Sequence, residues 1–368
     1  MTKSRRRLFG YLYTSIAKPV FFAFEPEFVH NSLVGTGRYL GSNVITKAIA
    51  SAIFSYQDQA LSQNILGINF RNPVGLSAGF DKNAEAAPIM EDVGFGFVEL
   101  GSITANPCKG NPGVRLKRLV SRKSIWVNLG LNNKGAVEIH KRLKSRRALA
   151  IPMGISAAKT NCKETTDPLV GLADYLFTVR EFRDIADFFV LNISCPNAFG
   201  GQDFADPKLF ETLARGVTKL KLRQPVFVKL SPDLTRQNVD RIISISGRYR
   251  ISGFICSNLT KKHEFSSGGL SGKVVEPKAN RLLSYVYRKT REQPGRNFIL
   301  IGTGGIFSAE DAYDKIKLGA NLVELITGMI YQGPQLIGDI NYGLVELLER
   351  DGFSNISEAV GTANRSEQ

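Results

Sequence analysis

The chain has 368 residues, 43% of them hydrophobic, enough for one large buried core or two ordinary ones. Lys and Arg outnumber Asp and Glu by 48 to 33, and the resulting net charge of +15 raises an anionic partner such as nucleic acid or a membrane surface, although scattered basic residues with runs at "SRRR" and "LKSRR" are more often just a solvated face. The four cysteines (Cys108, Cys162, Cys195, Cys256) never pair as C-x-x-C and the chain has 3 histidines, which argues against structural zinc, against a disulfide framework and for a reducing compartment.

Taken in chain order, the start, "MTKSRRRLFGYLYTSIAKPVFFAFEPEF", has 5 basic residues before its first acid, Glu25. Lys18-Pro19 interrupts its apolar run, which falls short of the ~20 residues that span a bilayer. A cleaved targeting peptide is one reading; a basic helix lying on a membrane surface suits the composition better. "PEFVHNSLVGTGRYL" and "NVITKAIASAIFSYQD" predict two helices, and "ILGINFRNPVGL" a short hairpin. Residues 1–64 thus form an extension ahead of a body spanning 65–350.

In that body, eight short apolar runs alternate with amphipathic stretches: "PVGLSA", "FVELGS", "IPMGIS", "FFVLNIS", "PVFVKLS", "GFICSN", "FILIGTGG" and "LVELITG". Each is too short for a buried helix and fits a strand buried on both faces. Between them, "SAEDAYDKIKLG" opens with Ser308 as N-cap and acids in the first turn. The pattern predicts an α/β fold, a closed (β/α)8 barrel of the TIM type. An open doubly wound sheet is less supported, because no G-x-G-x-x-G follows the first strand. The tail, 351–368, is small and polar and is expected to be loose.

Barrel chemistry sits in the loops after the strands. There the sequence collects Lys82, Lys229, Asn192, Asn197, Asn258 and Cys195. The glycines of "GTGG" and "ITG" suit a phosphate-bearing cofactor, although "GTGG" alone is equally a tight turn. The two lysines would then face the cofactor ring or an anionic substrate. The asparagines match the amides of a planar heterocycle, or simply cap turns. Cys195 is either a buried small residue or, with lysines nearby to lower its pKa, a base working near neutral pH. Strand alternation turns Ser194 away from it.

In their order along the chain, "NPVGLSAGFDKN", "NISCPN", "VFVKLSPDL", "GGLSGK" and "LIGTGGI…GANLVELITG…QGPQLI" resemble the dihydroorotate dehydrogenases, FMN-dependent barrels of pyrimidine synthesis. "FFAFEPEFVHNSLVGTGRYLG" is similar to the membrane-associated extension of their quinone-dependent class. The resemblance implies oxidation of dihydroorotate to orotate, with Cys195 as catalytic base. Lys82, Asn128, Asn192, Asn197 and Asn258 would bind the substrate. Ala78, Gly79, Lys82, Ser102, Ser156, Lys229, Ser257 and Gly272 would line FMN, with its phosphate at Gly304, Gly305, Thr327 and Gly328. Arg118 would stand at a quinone tunnel, and no metal site is implied. The expected partners are dihydroorotate, a membrane quinone and an anionic membrane surface, not nucleic acid. The expected place is peripheral, on the cytoplasmic face of the cell membrane.

The chain departs from the family pattern in several places. Cys195 stands where the quinone class has serine and the soluble class has cysteine. Val127 replaces a substrate-binding asparagine, with Asn128 one place off. Ser156 replaces a flavin-binding asparagine, and Ile326 a tunnel tyrosine. Dihydrouridine synthases share an "N-x-x-C-P" loop and bind tRNA, but their C-terminal helical domain has no counterpart here. A diverged dehydrogenase paralogue acting on another substrate and a non-catalytic membrane-attached relative are further alternatives.

Overall fold

A computed structural model describes residues 3–364 except 147, 196, 197, 200 and 202, and for residues 3–7 it describes the backbone alone. A helical run opens the chain: α1 (Lys3–Leu12), a π-helical turn at Tyr13–Ala17, and α2 (Lys18–Ala23). Pro19 does not end it. A proline in the first turn of a helix loses no hydrogen bond, and the wide turn ahead relieves the ring's clash with the preceding carbonyls. The two expected helices follow as α3 (Pro26–Gly41) and α4 (Val44–Phe54), N-capped by the side chains of Glu25 and Asn43. The hairpin pairs β1 (Gln63–Ile65) with β2 (Ile68–Phe70) through Leu66 and Gly67, at φ 53° and 80°.

Strands β3 (Val74–Leu76) and β4 (Phe97–Ile103) flank α5 (Ala87–Val93). A surface ribbon follows, β5 (Leu116–Leu119) and β6 (Ser124–Val127), then α6 (Ala136–Lys144). Next come β7 (Met153–Ala157), α7 (Pro168–Glu181), β8 (Phe188–Asn192), α8 (Pro207–Lys219) and β9 (Val226–Leu230). After α9 (Arg236–Arg248) and β10 (Gly253–Cys256), the short β11 (Gly269–Gly272) precedes α10 (Glu276–Arg291). The chain closes with β12 (Ile299–Thr303), α11 (Ala309–Lys317), β13 (Leu322–Leu325), α12 (Thr327–Gln332) and α13 (Leu336–Asp351).

Strands β3, β4, β7, β8, β9, β10, β12 and β13 form a closed parallel barrel in that order. They are the eight runs read from the sequence. Ser308 caps α11 as expected, accepting a bond from the Asp311 amide at 3.2 Å. The three-stranded sheet β11-β6-β5 is not legible in the sequence, because its strands are four residues long and two of the three are rich in Gly or charge, a pattern that reads as loop.

Aromatic rings fill the lower barrel: Phe97 packs edge-on against Phe70 and Phe188, and Phe188 against Phe227. They leave no room on two strands, since a Cβ on Gly75 or Gly154 would lie 2.2 or 2.1 Å from a phenylalanine ring. Ile65 and Phe70 of the hairpin join this cluster and plug the N-terminal end. The upper end is covered by the helical extension. Tyr13 donates to Ile330 O at 2.8 Å, Phe22 packs on Tyr331, and Lys47 pairs with Glu91 and Asp92.

The expectation of a loose tail is corrected for the described residues up to 364. Ile356 and Ala359 are fully buried, and Asn364 donates to Leu318 O at 2.9 Å. A few small apolar side chains in a polar segment suffice to dock it.

Candidate active site

A cavity opens at the C-terminal end of the barrel. Its floor and one wall come from strand ends: Ala78, Gly79 and Lys82 after β3, Ser102 on β4, Asn192 and Cys195 at β8, and Lys229 on β9. Ser257 and Asn258 after β10, Gly272 on β11, Gly304 and Gly305 after β12, and Thr327 and Gly328 after β13 complete that side. The opposite wall is apolar, made of Val29 and Leu33 from α3 with Leu116, Ile125, Val127 and Leu129 from the ribbon. Arg118 stands there too, its guanidinium 4.7 Å from the Phe22 ring and bonded to Phe24 O at 2.7 Å. His30 also lines the cavity; burial, with Lys82 adding to it, lowers its pKa to about 3, so it is neutral at working pH.

The polar side is an ordered network. Asn192 donates to Ser102 Oγ at 2.7 Å, and Asn258 donates to Asn192 Oδ1 at 3.1 Å and to Ser194 Oγ at 3.0 Å. Amides locked by each other present their remaining valences in one geometry, as recognition of a planar heterocycle requires. Cys195 packs beside Leu131 and Ala158 with its edge on the cavity. Ser194 turns away as alternation predicted, fully buried and donating to Lys229 O at 2.7 Å.

Lys82 donates to Gly79 O at 2.8 Å and is 9% exposed. Burial lowers its pKa to about 8, against the opposing pull of Glu27 and Asp81. Lys229 lies deeper, bonded to Glu99 at 2.7 Å and to Ser77 Oγ at 3.0 Å, with Glu324 at 3.7 Å. Burial works against its charge, but the two acids win and hold it protonated. Its cation is therefore matched from within the barrel, and of the two lysines Lys82 is the one left for an anionic ligand.

Two of the expected residues lie off the cavity lining. Asn128, just after β6, accepts a bond from Asn111 at 2.9 Å, while Val127 before it lines the cavity. Ser156 lies behind Ser102, its hydroxyl 3.1 Å from the Ser102 hydroxyl, and is fully buried away from the cavity. Asn197 lies outside the described residues. Sequence reading missed Ser77, Glu99 and Glu324; the signal was an acid at alternate positions in two otherwise apolar runs, "FVELGS" and "LVELITG". It also missed the apolar wall, which no local pattern announces.

The residues around the cavity are of the kinds that hold a planar, phosphate-bearing cofactor such as a flavin. Gly304 and Gly305 both take left-handed backbone, φ 94° and 85°, in a turn that aligns backbone along the cavity. The adjoining α12 starts without a side-chain cap. The amide network and Lys82 lie on the same cavity, where the polar edge of a planar ring would be read.

The sequence pattern of the family described as dihydroorotate dehydrogenase matches residues 60–348. A curated protein of Crocosphaera subtropica, named dihydroorotate dehydrogenase (quinone), is 37% identical over 92% of this chain and 94% of its own. One of the same name from Gloeobacter violaceus is 35% identical, over 95% of this chain and 98% of its own. Among solved structures, that of the Eimeria tenella enzyme in complex with ferulenol is similar at a TM-score of 0.79 and 29% identity. It covers 92% of this chain and 96% of the other.

Proposed function

The chain belongs to the dihydroorotate dehydrogenase family, oxidoreductases of pyrimidine biosynthesis, and on that premise we propose that it oxidises dihydroorotate to orotate with FMN and passes the electrons to a membrane quinone. The observation that carries the reading is the convergence of Cys195, Asn192, Asn258 and Lys82 on one cavity beside the Gly304-Gly305 turn.

The reaction removes a proton from one ring carbon and a hydride from its neighbour. Cys195, as its thiolate, takes the proton on its sulfur. Asn192 and Asn258 hold the ring amides so that this carbon faces the thiol. Lys82 pairs with the substrate's carboxylate, and binding an anion there favours its charged form. FMN, when bound, supplies the hydride acceptor and the outlet for two electrons. The backbone of Gly304, Gly305 and Gly328 with the Thr327 side chain would hold its phosphate, and Ala78, Gly79, Ser102, Lys229, Ser257 and Gly272 would border the rest. The apolar wall under α3, with Arg118 at its rim, is the side from which a lipid-soluble acceptor would approach. Asn197 is assigned to the substrate on the resemblance alone.

The helical extension is the membrane-facing element of this proposal. Leu8, Tyr11, Leu12, Ile16 and Val20 of the first helical run, and Val44, Ile45 and Ile49 of α4, are exposed. Apolar side chains on a segment with basic residues at its start suit peripheral attachment to anionic lipid, on the cytoplasmic face of the cell membrane. No helix among the described residues is long and apolar enough to cross a bilayer.

Mixing the purified yellow protein with dihydroorotate without oxygen is the test. Flavin absorbance should bleach, and added quinone should restore it. Flavin that stays oxidised with dihydroorotate present would overturn the substrate assignment, and Val127 and Leu131 would then be the first places to look.

A further inference from the structure

Glu324 is the least satisfied acid in the described protein. It is fully buried inside the barrel, and neither carboxylate oxygen has a hydrogen-bond partner among the described residues. Its surroundings explain why it is not simply ionised. Lys229 of β9 is 3.7 Å away but bonds to Glu99 of β4 at 2.7 Å, so the one cation already has its anion. By strand alternation the same interior receives Ser77 just after β3 and the neutral Ser156 of β7, with Val190, Ile255 and Ile301 from β8, β10 and β12. No second cation faces Glu324 from any of these strands.

Two carboxyls beside one ammonium cannot both ionise cheaply in such a place. Burial and the negative Glu99 push the Glu324 carboxyl well above the usual range, with Lys229 only partly opposing. Lys229 in turn holds Glu99 below its ordinary value in spite of burial. The group therefore has two states: Lys229⁺, Glu99⁻ and neutral Glu324, with no net charge, or the same pair with ionised Glu324 and a charge of −1.

We propose that Glu324 is a positioning residue for electron transfer: by taking up or releasing one proton it sets the charge of the Lys229 group on the cavity floor and so the reduction potential of the flavin. The inference rests on the flavin reading above. Reduction adds negative charge to the ring; a neutral Glu324 favours that, and an ionised one opposes it. A proton leaving Glu324 to water as pH rises thus makes the flavin harder to reduce, beyond the flavin's own pH dependence. A buried acid that stands 3.7 Å from a cation already paired with Glu99 is costly to keep, and its place beside the cavity-lining lysine gives it this role.

The test uses the full-length flavoprotein, Glu324→Gln and, should that fold poorly, Glu324→Leu, since an apolar side chain of like size is well tolerated where a buried charge stood. Potentials are measured with electrochemical mediators over roughly pH 5 to 9, without dihydroorotate. The parent's potential should fall more steeply with pH than the variant's. The difference should reach roughly tenfold in the reduction equilibrium, about 30 mV for a two-electron couple. Potentials that run parallel across the range would overturn the proposal. Infrared spectra of protein stripped of flavin give a second readout: the parent should show a buried protonated carboxyl band that titrates and is missing in Glu324→Gln. Identical spectra would also overturn it. Since neither measurement uses dihydroorotate, a wrong substrate would leave both outcomes intact.

Discussion

Cys195 lies on the cavity at the end of β8, the position proposed for the base, whereas the Ser194 hydroxyl one position earlier is buried, donating to Lys229 O and accepting from Asn258. Cys195→Ala should therefore slow flavin reduction by roughly 10²–10⁴-fold, the usual worth of a general base, without loss of FMN. Cys195→Ser should retain more activity than alanine, with its pH optimum moved upward, because a hydroxyl gives up its proton far less readily than a thiol. Stopped-flow bleaching across pH decides it; an alanine variant that bleaches at the parent's rate and with its pH profile would reduce Cys195 to a packing residue. Lys82 makes a second, pH-dependent statement. Its pKa in the ligand-free fold is lowered to about 8, so the cation is present below that pH and is lost as pH rises through it. An anionic ligand that binds only the charged form should then weaken by up to about tenfold per pH unit above the transition. Titration of flavin absorbance with orotate at a series of pH values measures this. In Lys82→Met the affinity should be low and flat over the same range.

Among elements, the turn after β12 carries the most demanding geometry. A side chain at 304 would meet φ of 94° and place its Cβ 2.9 Å from Val275. Gly304→Val should give protein that is folded by circular dichroism yet colourless, because the strain falls on the loop assigned to the phosphate and not on the barrel strands. A fully yellow variant would remove the phosphate from this turn. The extension behaves differently. α3 lies so close to α5 that a Cβ on Gly41 would be 3.0 Å from Ile89 N, which ties α3 to the body more firmly than the outer α1–α2 run. The boundary at residue 64 read from the sequence falls in β1, the first strand of the hairpin that leads into the barrel.

At the scale of the whole molecule, the proposed membrane attachment would draw on the charge of +15 and the exposed apolar residues of α1, α2 and α4 together. Charge brings a basic protein to an anionic surface from a distance, and apolar side chains hold it there. Co-sedimentation with vesicles of anionic lipid should exceed that with zwitterionic vesicles. It should fall as salt shortens the screening length, and removal of residues 1–23 should weaken it while flavin bleaching by dihydroorotate persists. Equal binding to both vesicle types would leave the charge without this role.

The periodicity of eight apolar runs determined the barrel, because a strand buried on both faces has no polar alternation and must be followed by a helix to return to its start. The order of motifs along those runs determined the family and most of the cavity: Lys82, Asn192, Cys195, Asn258, Gly304 and Gly328 are all found on it. What the sequence did not determine is direction and pairing. Asn128 and Val127 differ by one position, and only the folded ribbon puts valine on the cavity while asparagine bonds to Asn111. Lys229 looked like a ligand for an anion until the closed barrel brought Glu99 and Glu324 to it from strands 130 and 95 residues away in the chain (229 − 99 and 324 − 229). Such contacts depend on how the sheet closes, and closure is a property of all eight strands at once, which no single stretch of sequence carries.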